Sequence, residues 1–180
     1  HDLVIVDLDN TVFREVQMLG TDEWYAHAHH QEMAKGLSKR DAHEVLKPLN
    51  AAIKSASQMK LMEPGIAHLI GKLQGQRLTV IGLTARHPDL NKITLRGLKS
   101  LGVDFSKSGF VGVEIDKAAM PGHDFLYAGG VAFVDGAHKG KVLKEILLKT
   151  GVRPKRIVAV DDRIHHIESY VETLQEFAIQ

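Results

Sequence analysis

Two carboxylates one residue apart, Asp7 and Asp9, follow directly on the apolar run Leu3-Val4-Ile5-Val6 and precede Asn10 and Thr11. A continuous, largely β-branched run of this kind suits a parallel strand buried on both faces. Side chains alternate along a strand, so Asp7 and Asp9 are expected to leave its C-terminal tip on the same side. Carboxylates that close repel each other, and burying them unpaired is costly. A divalent cation relieves the repulsion, and a shared proton is the other remedy. One Asp where a strand ends is ordinary turn chemistry, whereas the whole stretch asks for more.

Two further apolar runs end in polar side chains. Residues 78–83 lead into Thr84, Ala85 and Arg86, and residues 157–160 lead into Asp161 and Asp162. Between them Asp135-Gly136-Ala137-His138-Lys139-Gly140-Lys141 opens a helix whose apolar positions are Val142, Leu143, Ile146 and Leu147. Ligands of open α/β sheets bind outside the carboxyl ends of the strands, so these tips are expected to converge in one crevice.

Asp7-Leu8-Asp9-Asn10-Thr11 resembles motif I, DxDx[TV], of the haloacid dehalogenase (HAD) superfamily. Gly82-Leu83-Thr84-Ala85-Arg86 resembles motif II, Lys139 followed by Gly140 resembles motif III, and Asp161-Asp162 resembles motif IV. All four occur in the family's order and span the core of the chain. The resemblance implies an α/β fold, a Rossmann-like doubly wound parallel sheet, and an Mg²⁺-dependent phosphoric monoester hydrolase. Asp7 would be the nucleophile that forms an aspartyl-phosphate, and Asp9 the general acid and base. The second Asp points to phosphoryl transfer rather than dehalogenation. Thr84, with backbone N–H groups around Ala85, would hold the phosphate, and Lys139 would neutralise charge. Mg²⁺ would be held by Asp7, the Asp9 backbone carbonyl, Asp161, and Asp162 directly or through water. Arg86 either adds a phosphate contact or covers a loop. Lys141 competes with Lys139, which is preferred because it precedes the Gly of a Lys-Gly-x-x-Leu pattern.

Asp-Leu-Asp-Asn-Thr, Leu-Gly-Thr-Asp-Glu-Trp and Gly-Leu-Thr-Ala-Arg together resemble a bacterial HAD subgroup of intracellular pathogens. That narrower resemblance implies phosphotyrosine proteins of a host as one substrate class and a secreted effector as one setting. A small phosphometabolite and a cytoplasmic enzyme are the alternatives, as is a phosphotransferase of the same superfamily. A catalytically silent phosphate-binding protein is a further reading. A receiver-type signalling module is disfavoured, because there the acidic pair comes first and the Lys last.

The chain is read as one HAD-like domain over 1–180 with two insertions. Residues 14–62 are helical in pattern, interrupted near Gly36-Leu37-Ser38 and Pro48, and fit a small helical C1 cap or flap. Thr21 or Asp22 is expected to cap the first helix and Ser38, with Asp41, the second. Trp24 is expected to anchor these helices, the alternative being a stacking surface for an aromatic phosphoester. His27, His29 and His30 read as a solvated face. Residues 105–134 read as an inserted β-hairpin, its strands at 110–115 and 125–134, separated by Pro121-Gly122 and with a turn at Gly129-Gly130. His165 and His166 are placed on a final helix as surface or packing residues. The resemblance implies a further strand past that helix, beyond Phe177–Gln180.

With 23 basic and 22 acidic side chains there is no electrostatic footprint for nucleic acid. No apolar run approaches the ~20 residues of a membrane helix. The absence of Cys excludes thiol nucleophiles, disulfides and Cys-based zinc sites. The sequence starts on strand residues without Met, so a preceding leader would not be visible.

Overall fold

Leu3, Val4, Ile5 and Val6 are all buried in β1 (Asp2–Val6), as an unbroken apolar run requires. A computed structural model of the protein describes residues 2–110, 113, 115–120 and 123–175. In it β1 pairs in parallel with β4 (Thr79–Thr84) on one side and β8 (Arg156–Val160) on the other. The sheet has six strands in the order β5 (Ile115–Met120), β6 (His123–Ala128), β7 (Val131–Phe133), β4, β1, β8. β7 joins β4 in parallel, and β6 is antiparallel to both of its neighbours.

Helices alternate with these strands: α3 (Ile66–Gly75), α4 (Asn91–Ser100), α5 (Lys139–Thr150) and α6 (Ile164–Leu174). The main core sets Leu3, Ile5, Ile81, Leu83 and Val134 of the sheet region against Val142, Leu143, Ile146 and Leu147 of α5 and Tyr170 and Leu174 of α6. The result is the expected Rossmann-like α/β fold with a largely parallel sheet. α5 ends at Gly151, whose φ of +68° is the left-handed C-terminal cap that glycine adopts without strain.

The chain forms two compact units, His1–Phe13 with Leu61–Gln180, and Arg14–Lys60. It passes between them through a two-stranded ribbon, β2 (Phe13–Glu15) and β3 (Met59–Leu61). The smaller unit holds α1 (Asp22–Ala34) and α2 (Lys39–Ala56). Thr21 caps α1 by accepting from the Trp24 amide, and Ser38 caps α2 through the Asp41 amide while donating to the Asp41 carboxylate. The break expected at Pro48 does not occur, since α2 continues through it. One missing backbone N–H costs a single hydrogen bond, and the buried positions Ala42, Leu46 and Lys54 hold the helix on either side. A buried ion pair, Lys54 to Glu15 at 3.0 Å, ties α2 to the ribbon.

The inserted hairpin is present but shifted. Its first strand was expected at 110–115, yet β5 begins only at Ile115. Phe110 cannot join the ladder because its amide donates to the Tyr127 hydroxyl and its carbonyl accepts from Val113. Residues 111, 112 and 114, and the turn expected at Pro121-Gly122, lie outside the described residues. So do Phe177–Gln180 at the expected continuation. The Gly129-Gly130 turn is where the sequence put it, both residues having positive φ, and it separates β6 from β7.

Candidate active site

Asp7 follows β1 directly, and its amide still donates to Val160 of β8 at 2.9 Å, so the ladder holds its backbone. The chain then folds back sharply: the amides of Thr11, Val12 and Phe13 all point at the Leu8 carbonyl. Asn10 makes this turn at a φ of +60°, a left-handed conformation that Asn tolerates better than most residues. The loops after β4 and β7 are stitched together by Val134, Asp135 and Gly136 amides donating to Thr84, Arg86 and Ala85 carbonyls. The C-terminal ends of β1, β4, β7 and β8 therefore meet in one region, as the topology demands.

Lys139 is the hub. It is 1 % exposed, and its Nζ donates to Asp7 Oδ1 at 2.5 Å and to Asp161 Oδ2 at 2.7 Å. Lys141, the other candidate, is exposed. The glycine after Lys139 has a steric reason. A Cβ on Gly140 would collide with the Ser169 carbonyl of α6, and the Gly140 amide donates to Ser169 Oγ. Only a bare backbone lets the start of α5 press against α6 and carry the ammonium to the carboxylates. Gly140→Ala is expected to cost about 1–3 kcal/mol through overpacking, lowering the melting temperature by about 5 °C in a thermal melt.

The Asp161 side chain is 0 % exposed, the residue as a whole half-buried, and it accepts at both oxygens, Oδ2 from Lys139, Oδ1 from the Arg163 amide at 3.1 Å and from His166 Nδ1 at 2.8 Å. Burial opposes its ionisation, but the hydrogen bonds from His166 and Lys139 outweigh it and hold the carboxyl below the usual range. Asp7 differs. Burial, only partly offset by Lys139, pushes its carboxyl up to about 6, and its Oδ2 has no hydrogen-bond partner among the described residues. The Tyr170 hydroxyl is likewise buried without a partner there, and burial followed by the Asp161 and Asp7 charges pushes it up from the ordinary phenol value.

Oxygens of Asp7, Asp161 and the exposed Asp162 all lie within 4.8 Å of one another. Asp7 and Asp161 share one buried ammonium, Asp162 adds a third carboxylate beside them, and Asp7 Oδ2 has no partner among the described residues. An all-oxygen set with surplus negative charge suits a hard divalent cation such as Mg²⁺, and the orphaned Asp7 oxygen is what that cation would satisfy.

Asp9 is arranged otherwise. Its carboxylate accepts from Arg86 Nε at 3.0 Å to either oxygen, from Arg86 Nη2 at 2.7 Å and from Thr84 Oγ1 at 3.0 Å. Arg86 is itself buried, bonds Thr94 Oγ1 and sits over the Phe13 ring at 4.8 Å. Thr84 is wholly buried, and its hydroxyl also accepts from the Arg86 amide, while Ala85 is exposed. Arg86 thus grips Asp9, a role absent from both sequence alternatives. Removing one member of a buried ion pair costs about 3 kcal/mol or more. Arg86→Met is accordingly expected to lower the melting temperature by about 10 °C.

Trp24 is half-buried near the start of α1 in the smaller unit. His27 and His30 are exposed, and His29 bonds the Lys39 carbonyl at 2.9 Å. The sequence reading missed Phe13, Thr94, Ser169 and His166. His166 in particular is bonded to Asp161 rather than being a mere surface or packing residue. Its sequence signal, a His five residues after an Asp, is too common to single it out.

Residues 1–180 match the family described as a protein of unknown function (DUF2608). Two curated relatives are provisionally described as outer membrane proteins. The one from Chlamydia muridarum is 25% identical over 91% of this chain and 60% of its own length. The one from Chlamydia pneumoniae is 25% identical over 98% and 65%. The chain therefore spans less than two thirds of the length of these relatives. Among solved structures, a Thermotoga maritima protein provisionally named a β-phosphoglucomutase superimposes with a TM-score of 0.51 at 15% identity, over 99% of this chain and 82% of its own. That likeness shows a HAD-like fold. No helix among the described residues is long and apolar enough to cross a membrane.

Proposed function

The chain belongs to the DUF2608 family, and from the chemistry at the head of its sheet we propose that it is a phosphoric monoester hydrolase working through an aspartyl-phosphate on Asp7. The observation that carries this reading is the buried Lys139 ammonium held between Asp7 and Asp161, with Asp7 Oδ2 lacking a partner among the described residues and Asp162 beside it.

A phosphate monoester dianion repels an attacking carboxylate, so positive charge must be in place first. Lys139 supplies one charge. Mg²⁺, held by Asp7, Asp161 and Asp162, would supply the rest and polarise the phosphoryl oxygens. Asp7 forms its O–P bond as the ester P–O bond breaks, and Asp9 passes a proton to the departing alkoxide. Asp9 then takes a proton from water as that water attacks phosphorus and frees Asp7. A carboxylate gripped by a guanidinium is a poor proton donor. In this scheme Asp9 exchanges Arg86 and Thr84 for the substrate before the acid step.

The grip on Asp9 also favours a second reading. While Arg86 holds Asp9, that carboxylate does not serve the hydrolytic water, and an aspartyl-phosphate would persist long enough to pass to an acceptor hydroxyl. That is phosphotransferase chemistry, and the Thermotoga maritima neighbour is provisionally named a β-phosphoglucomutase. Phosphorylated proteins or peptides, phosphotyrosine above all, and small phosphometabolites are the substrate classes of the proposal. A cytoplasmic enzyme and a secreted effector both fit it.

The test is phosphate release from a panel of phosphopeptides and phosphometabolites, with Mg²⁺ and with EDTA. Mg²⁺-dependent release is the expected result. Transfer to an added hydroxyl acceptor without net release would favour the phosphotransferase, and neither activity on any substrate would reject both.

A further inference from the structure

We infer that His166 is a positioning residue for the cation site, fixing Asp161 in the rotamer that turns its carboxylate toward Asp7 and Asp162. The inference rests on the metal-dependent reading above and adds to it a residue outside the four motifs.

The geometry is specific. A carboxylate can only accept, so the 2.8 Å contact requires His166 Nδ1 to carry the hydrogen and donate to Asp161 Oδ1. The other donor to Oδ1 is the Arg163 amide at 3.1 Å, which belongs to the same turn as Asp161 and restrains it less directionally. Lys139 holds Oδ2 but is shared with Asp7, so alone it fixes a distance rather than a plane. His166 supplies the third point.

The His166 backbone is tied to the same turn. Its main-chain carbonyl accepts from Ser169 Oγ at 2.7 Å, the same hydroxyl that accepts from the Gly140 amide. One turn of α6 therefore sets both the His that orients Asp161 and the backbone that delivers Lys139. The His165 ring packs edge-on against His166, with centroids 4.2 Å apart. Partners that orient metal ligands from behind commonly affect metal affinity or activity by about 10–100-fold.

His166 also lines an open surface cavity of about 320 Å³ that it shares with Lys139 and Ser169. Truncating it enlarges space already open to water rather than hollowing the core, so variants are expected to fold.

The experiment measures Mn²⁺ binding to the full chain by electron paramagnetic resonance, without substrate, for wild type, His166→Ala and His166→Asn. Thermal melts run alongside, and Mg²⁺-dependent release from p-nitrophenyl phosphate is a second readout. An Asn amide can place its N–H where Nδ1–H stands. Expected are a Mn²⁺ affinity about tenfold weaker for His166→Ala, recovery to within about threefold for His166→Asn, and cooperative melting for both, lowered by about 5 °C in His166→Ala, where Asp161 loses a donor. Wild-type Mn²⁺ affinity in folded His166→Ala would overturn the inference, as would folded His166→Asn failing as badly as His166→Ala. If wild type itself binds no Mn²⁺, the cation site fails and the inference with it. That result is distinct from the first two, in which wild type binds.

Discussion

Asp7→Asn is expected to lower phosphate release by at least about 10⁴-fold, the scale on which loss of a covalent nucleophile is felt. The amide is nearly isosteric, and its oxygen still accepts from Lys139 in the place of Oδ1. It cannot attack phosphorus, however, and it removes a charge from the cation set. The fold should not suffer. Asp7 is 4 % exposed and has one oxygen without a partner among the described residues, so its charge is a burden on the folded state rather than a support. Melting at or above the wild-type temperature, together with lost turnover, is the expected pair of observations. A variant that lost activity only because it unfolded would melt early, and a circular-dichroism melt separates the two.

The second large effect is expected at Lys139. Lys139→Met keeps the length of an apolar stem but leaves the Asp7 and Asp161 side chains, 6 % and 0 % exposed, without their common cation. Stranding buried charge costs about 3–5 kcal/mol, so the melting temperature should fall by about 10 °C or more. Turnover should fall by about 10³-fold, because a charge aimed at the transferring phosphoryl group is gone. Excess Mg²⁺ should raise the melting temperature of this variant more than that of wild type, since the cation then neutralises carboxylates that Lys139 no longer reaches. Equal Mg²⁺ shifts in the two proteins would contradict the shared-cation arrangement.

Much of the scaffold could be read from residue patterns. β1 carries the unbroken apolar run Leu3–Val6 and β4 is centred on Val80, Ile81 and Leu83, and such stretches have few alternatives to a buried parallel strand. The alternation of those strands with α3, α4 and α5 follows from helical periodicity between them. The strand tips of Asp7, Thr84 and Asp161 were legible because topology places them. What the side chains do at the tips was only partly legible. Nothing in Thr84-Ala85-Arg86 says that the guanidinium will turn back onto Asp9, because that depends on Phe13 and Thr94 packing around it. His166 was invisible for the same reason, since its role is set by the angle at which α6 meets α5 over Gly140. The strand at 110–115 was misplaced because apolar content alone does not reveal that Tyr127 will capture the Phe110 amide.

The most direct test is to trap the covalent intermediate. A ³²P-labelled monoester that the protein turns over is mixed with it, quenched in acid within the first turnover, and the protein is digested and mapped. Label on the peptide containing Asp7, released by hydroxylamine as an acyl phosphate must be and absent from Asp7→Asn, is the expected result. Turnover with no covalent label at any quench time, or label on a residue other than Asp7, would contradict it.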